Sequence, residues 1–458
     1  MQTTFQKPSL NSPAPTLKMF FAGGIGTAIE WYDFALYGFL APVIATQFFP
    51  AESRATSLLA TFAIFAVAYL MRPIGGLLFG HLGDKFGRKL TLIITVSLIA
   101  LPTALIAALP TYDYAKEHWG RGWLAPVFLM LCRALQGLSM GGDFTGSATL
   151  LAEYAPKNRR AFFSCVMYIA AGVGTIVASL FVTILALTLT HEQLASWGWR
   201  VPFIGALVIG LLGIWLRLKA PESPEFEKNK KAHQLVAIPF IEVMRSHKKA
   251  IFIVLGIVFF QAVGLYIPFV YTPTWLKEYL HFSFAQALAI STIGNLVMIS
   301  LIPVAALLSD RIGRRPVLLI STLGTAIVSI PLYYWMISSG RPEAHSITNS
   351  FIVCLASIII IGVLGSCLQG TLPAALVESF PTNIRYSAVA FSYNLGAGVF
   401  GGTAPFVATY LVHNAHNLGL SSSETTLQMP GYYLALAGVV ASLVIFFSLK
   451  ETFRTPLH

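Results

Sequence analysis

Apolar residues along this chain run in stretches of about 20, the length a helix needs to cross a hydrocarbon core of roughly 30 Å, and short polar breaks separate them. Twelve such spans are predicted: 19–45, 56–80, 90–110, 124–152, 161–188, 200–218, 250–276, 284–308, 316–337, 350–378, 385–412 and 430–449. Lipid offers a bare backbone no hydrogen-bond partner, so each span is a helix or a strand of a closed barrel. Barrel strands alternate apolar and polar residues over about ten positions. The runs here are continuous, which selects helices.

Composition strengthens this reading: 56% of the 458 residues are hydrophobic and 11% are charged, against about 25% charged in a soluble domain. A formal net charge of +11 raises the question of a nucleic-acid partner, and the placement of the charges answers it. Of the 30 Lys and Arg, with Arg200, Arg217 and Arg385 at span ends counted with the adjoining loops, 22 fall in the tails and the even-to-odd loops, 6 in the odd-to-even loops and 2, Arg72 and Arg133, deep inside spans. Such asymmetry follows a membrane and puts both termini in the cytoplasm. No nucleic acid is expected. Residues 1–18 are polar and proline-dotted rather than a cleavable signal, so span 1 is expected to stay as an anchor. Cys132, Cys165, Cys354 and Cys367 all lie inside spans without metal or redox spacing, and are read as reduced packing residues.

Two motifs repeat at nearly one offset, as expected where a transporter fold is built from repeats. Gly83-Asp84-Lys85-Phe86-Gly87-Arg88-Lys89 matches Ser309-Asp310-Arg311-Ile312-Gly313-Arg314-Arg315 at an offset of 226. Glu153, Pro156, Asn158 and Arg160 match Glu378, Pro381, Asn383 and Arg385 at 225. Between the copies, Arg217 to Lys249 carries eight Lys or Arg and four Glu. This is a solvated bridge, with an interfacial helix expected around 238–245. The expected organisation is a tail (1–18), a six-helix half (19–218), a cytoplasmic linker (219–249), a second six-helix half (250–449) and a tail (450–458).

The loop after span 2, repeated after span 8, resembles the signature of the major facilitator superfamily. Further motifs resemble its metabolite:proton symporters: Gly26-Thr-Ala-Ile-Glu30-Trp-Tyr-Asp33-Phe, Arg72-Pro-Ile-Gly-Gly76, Arg133-Ala-Leu-Gln136-Gly-Leu-Ser-Met-Gly-Gly142, Phe380-Pro-Thr-Asn-Ile-Arg385-Tyr-Ser and Asn394-Leu-Gly-Ala-Gly-Val-Phe-Gly-Gly-Thr-Ala-Pro405. The resemblance runs nearly end to end. It implies an all-α integral membrane protein of twelve helices in two pseudo-symmetric halves, in a bacterial inner membrane. The implied activity is import of a small metabolite by proton symport, with no cofactor beyond the proton gradient and the protein acting as a monomer.

Ionisable groups inside a bilayer are costly and mark function by default. Five qualify: Glu30, Asp33, Arg72, Arg133 and Asp143. At 1.5 Å per residue, Glu30 and Asp33 sit about 17 to 21 Å into span 1, and Arg133 enters about 14 Å from the other face, so all three reach the middle layer. Glu30, Asp33 and Tyr37 share one helix face. Arg133, Gln136, Met140 and Asp143 form a stripe on span 4, expected to line a cavity. Three carboxylates against two guanidiniums leave one acid to bind a proton, which names Glu30, Asp33 and Asp143 for coupling. Fixed ion pairs bracing the bundle are the alternative. The related pattern has Glu where the shorter Asp143 stands.

Substrate contacts are expected from Arg133, Gln136, Tyr37, Trp31 and Arg72 in the first half and from Gln261, Tyr271, Gln369 and Asn394 in the second, where hydrogen bonding between helices is the other explanation. Asp84 with Arg88, Asp310 with Arg314, and Glu153 and Glu378 are expected to form ion pairs that close the cytoplasmic face and break in each cycle.

Gly141-Gly-Asp-Phe-Thr-Gly146, Ala152-Glu-Tyr-Ala-Pro156 and Met429-Pro-Gly-Tyr-Tyr433 resemble the proline/betaine carriers most, and osmotic regulation through a long C-terminal coiled coil, as in some osmosensory relatives, is not expected. A zwitterion suits this chemistry, its carboxylate on Arg133 and its cation among Glu30, Trp31, Tyr32 and Tyr37. Citrate, dicarboxylates and shikimate-type acids remain the alternative, with Arg72 as a second basic partner, as does an exporter of the same fold. None of the ten His pairs with acids at catalytic or metal-binding spacing, so an enzyme is not expected.

Overall fold

In the computed structural model, residues 17–51, 53–86, 88–141, 151–152, 155–156, 158–219, 248–340, 342, 346–380, 385–414 and 423–453 are described. Of these, 17–25, 80–86, 88–92, 213, 216–219, 385–387 and 423–424 are described as backbone only. The linker helix expected at 238–245, together with Asp143 and Glu153, falls outside the described residues, and so do the side chains of Asp84 and Arg88.

Every predicted span is helical through nearly all of its described residues, and none of those residues is in a strand. Among them, eight helices are each long and apolar enough to cross a bilayer, and a ninth counts if the pair Ile93–Ala108 and Tyr112–Trp119, bent by 66°, is taken as one span. Shorter apolar helices, Leu124–Ser139 and Gly198–Leu212, occupy spans 4 and 6. The bend after span 3 follows from composition. Tyr112–Trp119 is polar, and Thr111 caps it by accepting from the Tyr114 amide, so it leaves the membrane axis.

Spans 7 and 11 are continuous helices interrupted by wide π turns, Ile267–Tyr271 and Ala397–Gly401. In span 7 the cause is proline. Pro268 and Pro273 lack amide donors, and a carbonyl stripped of its donor inside a membrane must find another. The Phe269 carbonyl, four residues before Pro273, accepts from the Ser291 hydroxyl of span 8 at 2.8 Å, and the Ile267 carbonyl accepts from Thr272 at 2.8 Å.

The packing repeats between the halves. Span 1 lies on span 5, 2 on 4 and 3 on 6, while span 7 lies on span 11, 8 on 10 and 9 on 12. Two seams join the halves: span 5 against span 8, and span 2 against span 11. Shifting each number by six turns one seam into the other, which is the pseudo-two-fold relation that the repeated loops implied. Small residues make the contacts close. A Cβ on Gly174 would overlap the Ala28 carbonyl of span 1, and one on Gly402 would overlap the Tyr69 side chain of span 2.

The outer surface is apolar. Leu187 (71% exposed), Val208, Ile327 and Phe447 (76% exposed) point outward, whereas Glu30, Asp33, Arg72, Arg133, Gln136, Asn295 and Gln369 are buried. A water-soluble bundle has the opposite arrangement, so lipid is the solvent of the outer face.

Replacing Gly174 by valine forces span 5 off span 1. Overpacking of this kind costs about 1–3 kcal/mol, so Gly174→Val is expected to lower the melting temperature in detergent, while the same change at the lipid-facing Leu187 leaves it nearly unchanged. Equal melting of the two variants would contradict the close helix contact.

Candidate functional site

The carboxylate of Asp33 lies at the centre of the first half, met by one polar group from span 3 and two from span 4. Its Oδ1 accepts from Thr103 of span 3 at 2.6 Å and from Gln136 of span 4 at 3.0 Å. Its Oδ2 accepts no hydrogen bond and faces Arg133 Nη1 at 3.5 Å. Gln136 also donates to Thr103 at 2.7 Å and accepts from Arg133 at 2.8 Å, closing a ring of four side chains. The guanidinium of Arg133 sits in an aromatic box, with its carbon 4.4 Å from the Tyr37 ring centre, 4.5 Å from Phe34 and 5.8 Å from Phe65. Cation–π attraction replaces some of the hydration that burial removes. Tyr37 is fixed by donating to the Thr61 carbonyl at 3.0 Å.

One turn earlier on the same helix, Glu30 interacts electrostatically with Arg72 of span 2. Around Arg72 lie tyrosines of both halves: Tyr69, whose ring centre is 5.5 Å from the guanidinium, Tyr266 and Tyr393. Tyr266 donates to Tyr69 at 2.6 Å and stacks with Trp31 at 6.1 Å between ring centres. The first half therefore carries two acid–base pairs. Asp33–Arg133 is enclosed within the half, and Glu30–Arg72 faces the interface.

A cavity of ≈ 20 Å3 lies between the halves, room for about one water. Trp31 and span 5 (Tyr168, Gly172, Thr175) line one side, and Asn295, Met298 and Gln369 line the other. A second cavity of ≈ 10 Å3 lies within the second half beside Gln261 and Thr325, and Met298 and Gln369 line it too.

Both faces are latched. At the face of the repeated loops, Arg314 meets Asp310 at 2.7 Å and Glu378 at 3.0 Å, inside the second half. Two contacts cross to the first half. Asp310 accepts the Ala161 and Phe162 amides at the start of span 5 at 3.1 and 3.0 Å, and Arg160 meets Glu378 at 3.4 Å. An acid at a helix N-terminus gains from unpaired amides and from the helix dipole. The chain after span 12 joins this cluster: Glu451 accepts the Arg314 and Arg315 amides at 2.9 and 3.0 Å, and Thr452 donates to Glu378 at 2.7 Å. At the opposite face, Arg54 forms a two-pronged pair with Glu278 at 2.8 and 3.1 Å, again between halves.

Of the residues singled out from sequence, Asp33, Arg133, Gln136 and Tyr37 meet in one cluster, and Glu30 and Arg72 in the next. Trp31, Gln261 and Gln369 line the cavities, whereas Arg133 and Gln136 are sealed away from them. Asn394 braces the interface by donating to the Gly141 carbonyl at 2.9 Å, and Tyr271 packs edge-on against Phe62 of span 2. Sequence reasoning missed Thr103, Phe34, Phe65, Arg54 and Glu278. A threonine or phenylalanine within an apolar span carries no signal of its own, and Arg54 and Glu278 are 224 residues apart.

Acid–base pairs buried in one of two latched six-helix halves, in a bundle with an apolar outer face, are the arrangement of a membrane transporter. The family model for "Sugar (and other) transporter" matches residues 19–458, and the chain belongs to that family, within the major facilitator superfamily. A putative proline/betaine transporter of Staphylococcus aureus is 36% identical over 450 residues, 97% of this chain and 91% of its own. The proline/betaine transporter of Escherichia coli K12 is 32% identical over 451 residues, 96% of this chain and 84% of its own. In fold, the chain is similar to the partially occluded inward-open xylose transporter of Escherichia coli, with a TM-score of 0.72, 20% identity and coverage of 95% and 98%. A D-xylose–proton symporter gives 0.71, 22%, 94% and 98%.

Removing one partner of a buried ion pair costs about 3–5 kcal/mol because the other is left uncompensated. Asp33→Ala or Arg133→Ala alone should therefore destabilise the protein more than the double variant does. A thermodynamic cycle in detergent is expected to give a coupling of about 1–3 kcal/mol. Additive effects would mean that the pair does not interact.

Proposed function

We propose that this protein imports a small zwitterionic metabolite of the proline/betaine kind by proton symport, working as a monomer in a bacterial inner membrane with both termini in the cytoplasm. The single observation that supports proton coupling is the state of Asp33: one oxygen is held by two donors, and the other faces only Arg133. A proton added at Oδ2 would neutralise Asp33 and weaken its hold on Arg133. Substrate and proton affinities would then be linked through the same buried charges. Asp143, one stretch further along span 4, belongs to the same proposal.

Arg72 is the basic group proposed for the substrate carboxylate. It faces the interface, and Tyr168, which lines the central cavity, lies within its field. The names of the relatives support a zwitterion. Arg72 and Arg133 together are the observation favouring a second reading, a symporter of di- or tricarboxylates. The latches at the two faces are proposed gates: Asp310, Arg314 and Glu378 with Arg160 on the cytoplasmic side, joined by Asp84, Arg88 and Glu153, and Arg54 with Glu278 on the other.

Proteoliposomes with an inward proton gradient are expected to accumulate proline or a betaine, and Asp33→Asn should abolish accumulation while preserving exchange of substrate across the membrane. Accumulation only under a reversed gradient would make the protein an exporter, and accumulation of citrate or 2-oxoglutarate alone would favour the second reading. For the gates, Glu378→Gln should raise labelling of a cysteine placed at the cytoplasmic end of the seam, and Glu278→Gln should raise it at the other end. Unchanged labelling in both would refute the gate assignment.

A further inference from the structure

Thr103 of span 3, buried beside Asp33, has one hydroxyl proton and two acceptors within reach. Its oxygen lies 2.6 Å from Asp33 Oδ1 and 2.7 Å from the Ile99 carbonyl, one turn back on its own helix. Donation one turn back is ordinary for a hydroxyl in an apolar helix, and Ser97, Thr175 and Ser392 show it here. The carboxylate as a second acceptor sets Thr103 apart. Gln136 is fixed by contrast: its amide oxygen takes Arg133 Nη1 at 2.8 Å, and its nitrogen spends one N–H on Thr103 at 2.7 Å and the other on Asp33 at 3.0 Å. The Thr103 hydroxyl is therefore the member of the ring whose proton can turn while every heavy atom stays in place.

Which acceptor takes that proton depends on the charge of Asp33. A carboxylate accepts with charge assistance, about twice as strongly as a neutral oxygen, so ionised Asp33 draws the hydroxyl proton. Once Asp33 is neutral the advantage is gone, and the Ile99 carbonyl takes the proton without leaving the hydroxyl unpaired in an apolar interior. The remaining titratable groups are the same in both arrangements. Tyr32 of span 1 and Arg133 and Cys132 of span 4 feel the charge of Asp33 directly, and Tyr37 of span 1 faces Arg133. Glu30 with Arg72 and Tyr69 of span 2 forms the neighbouring cluster, with Tyr168 of span 5 and Tyr266 of span 7 beyond it. Span 3 brings no titratable side chain among the described residues, and span 6 brings Arg200, held at its outer end by the Ala107 carbonyl at 2.9 Å.

We propose that Thr103 is a positioning residue for proton coupling: its hydroxyl proton points at Asp33 while the carboxylate is ionised and turns to the Ile99 carbonyl when the carboxylate is protonated. The inference rests on the proton-symport reading above and specifies it further. Two consequences follow from the chemistry of a donor that strongly holds only the ionised form. Such a donor lowers the affinity of Asp33 for a proton, and so sets the pH range over which the carrier loads and unloads. It also lets a buried charge appear and vanish by the rotation of one O–H bond, so that neither Gln136 nor the helices must move to keep the polar groups satisfied.

The test is infrared difference spectroscopy on the full-length protein in lipid nanodiscs, following carboxylic-acid C=O stretching bands through a pH titration with no substrate present. The band lost in Asp33→Asn belongs to Asp33. In Thr103→Val, which keeps the shape and removes the donor, the midpoint of that band is expected to rise by about one pH unit, a proton bound about tenfold more tightly. Thr103→Ser, which keeps the hydroxyl, should hold the midpoint of the unmodified protein. Thr103→Cys, a weaker donor of similar size, should move it the same way by less and serves if the valine variant does not fold. A midpoint unmoved in whichever of these two folds overturns the proposal, and so does a shift in Thr103→Ser as large as in Thr103→Val. A titrating Asp33 band with an unmoved midpoint removes the role of Thr103 and leaves proton coupling through Asp33 standing, whereas the absence of any band that Asp33→Asn abolishes removes both.

Discussion

A charge in the middle of a bilayer has no water to turn to, and the arrangement of spans 1 to 4 follows from that constraint. Asp33 is tolerated because Thr103 of span 3 and Gln136 and Arg133 of span 4 come from two other helices to meet it. Arg133 in turn is tolerated because aromatic faces and Asp33 surround it. Each side chain serves two neighbours, so the cluster is a closed network whose members cannot be exchanged independently. The same rule operates on the backbone. Proline frees a carbonyl in span 7, and a serine of span 8 answers it.

This economy separates two tasks that the sequence left merged. Glu30 and Asp33 share a helix face, which suggested a common partner in Arg133. In the folded chain the face is divided, with Asp33 facing the interior of its own half and Glu30 facing Arg72 beside tyrosines from both halves. A pair enclosed in one rigid half is suited to holding a proton through a cycle. A pair at the interface feels every change in how the halves meet. Coupling between them has a short physical path, since Tyr69 lies within the fields of Glu30, Arg72 and Arg133 together.

Much of the fold was legible because a membrane imposes a simple code. Span length, continuous hydrophobicity and the lopsided placement of Lys and Arg need only composition and spacing. The repeated loops further implied the pseudo-two-fold relation between the two seams. The buried charges were legible for the same reason, since Glu30, Asp33, Arg72 and Arg133 stand out in an apolar background. Pairings were not legible. Whether Arg133 meets Glu30 or Asp33 depends on helix rotation, which a hydrophobic run leaves undetermined. The outer latch of Arg54 and Glu278 joins positions from different halves, so no local pattern carries it. Gln369, expected from sequence among the substrate contacts, and Asn295 both line the cavity between the halves.

The two seams carry a mechanical consequence. Span 5 on span 8 and span 2 on span 11 run through the thickness of the protein, with the Arg54–Glu278 contact near one rim and the Asp310–span 5 contact near the other. Halves that roll on such a shared line behave as a seesaw, and parting one rim presses the opposite rim shut. Leak-tightness is then a property of the pivot itself, and neither rim needs to sense what the other is doing.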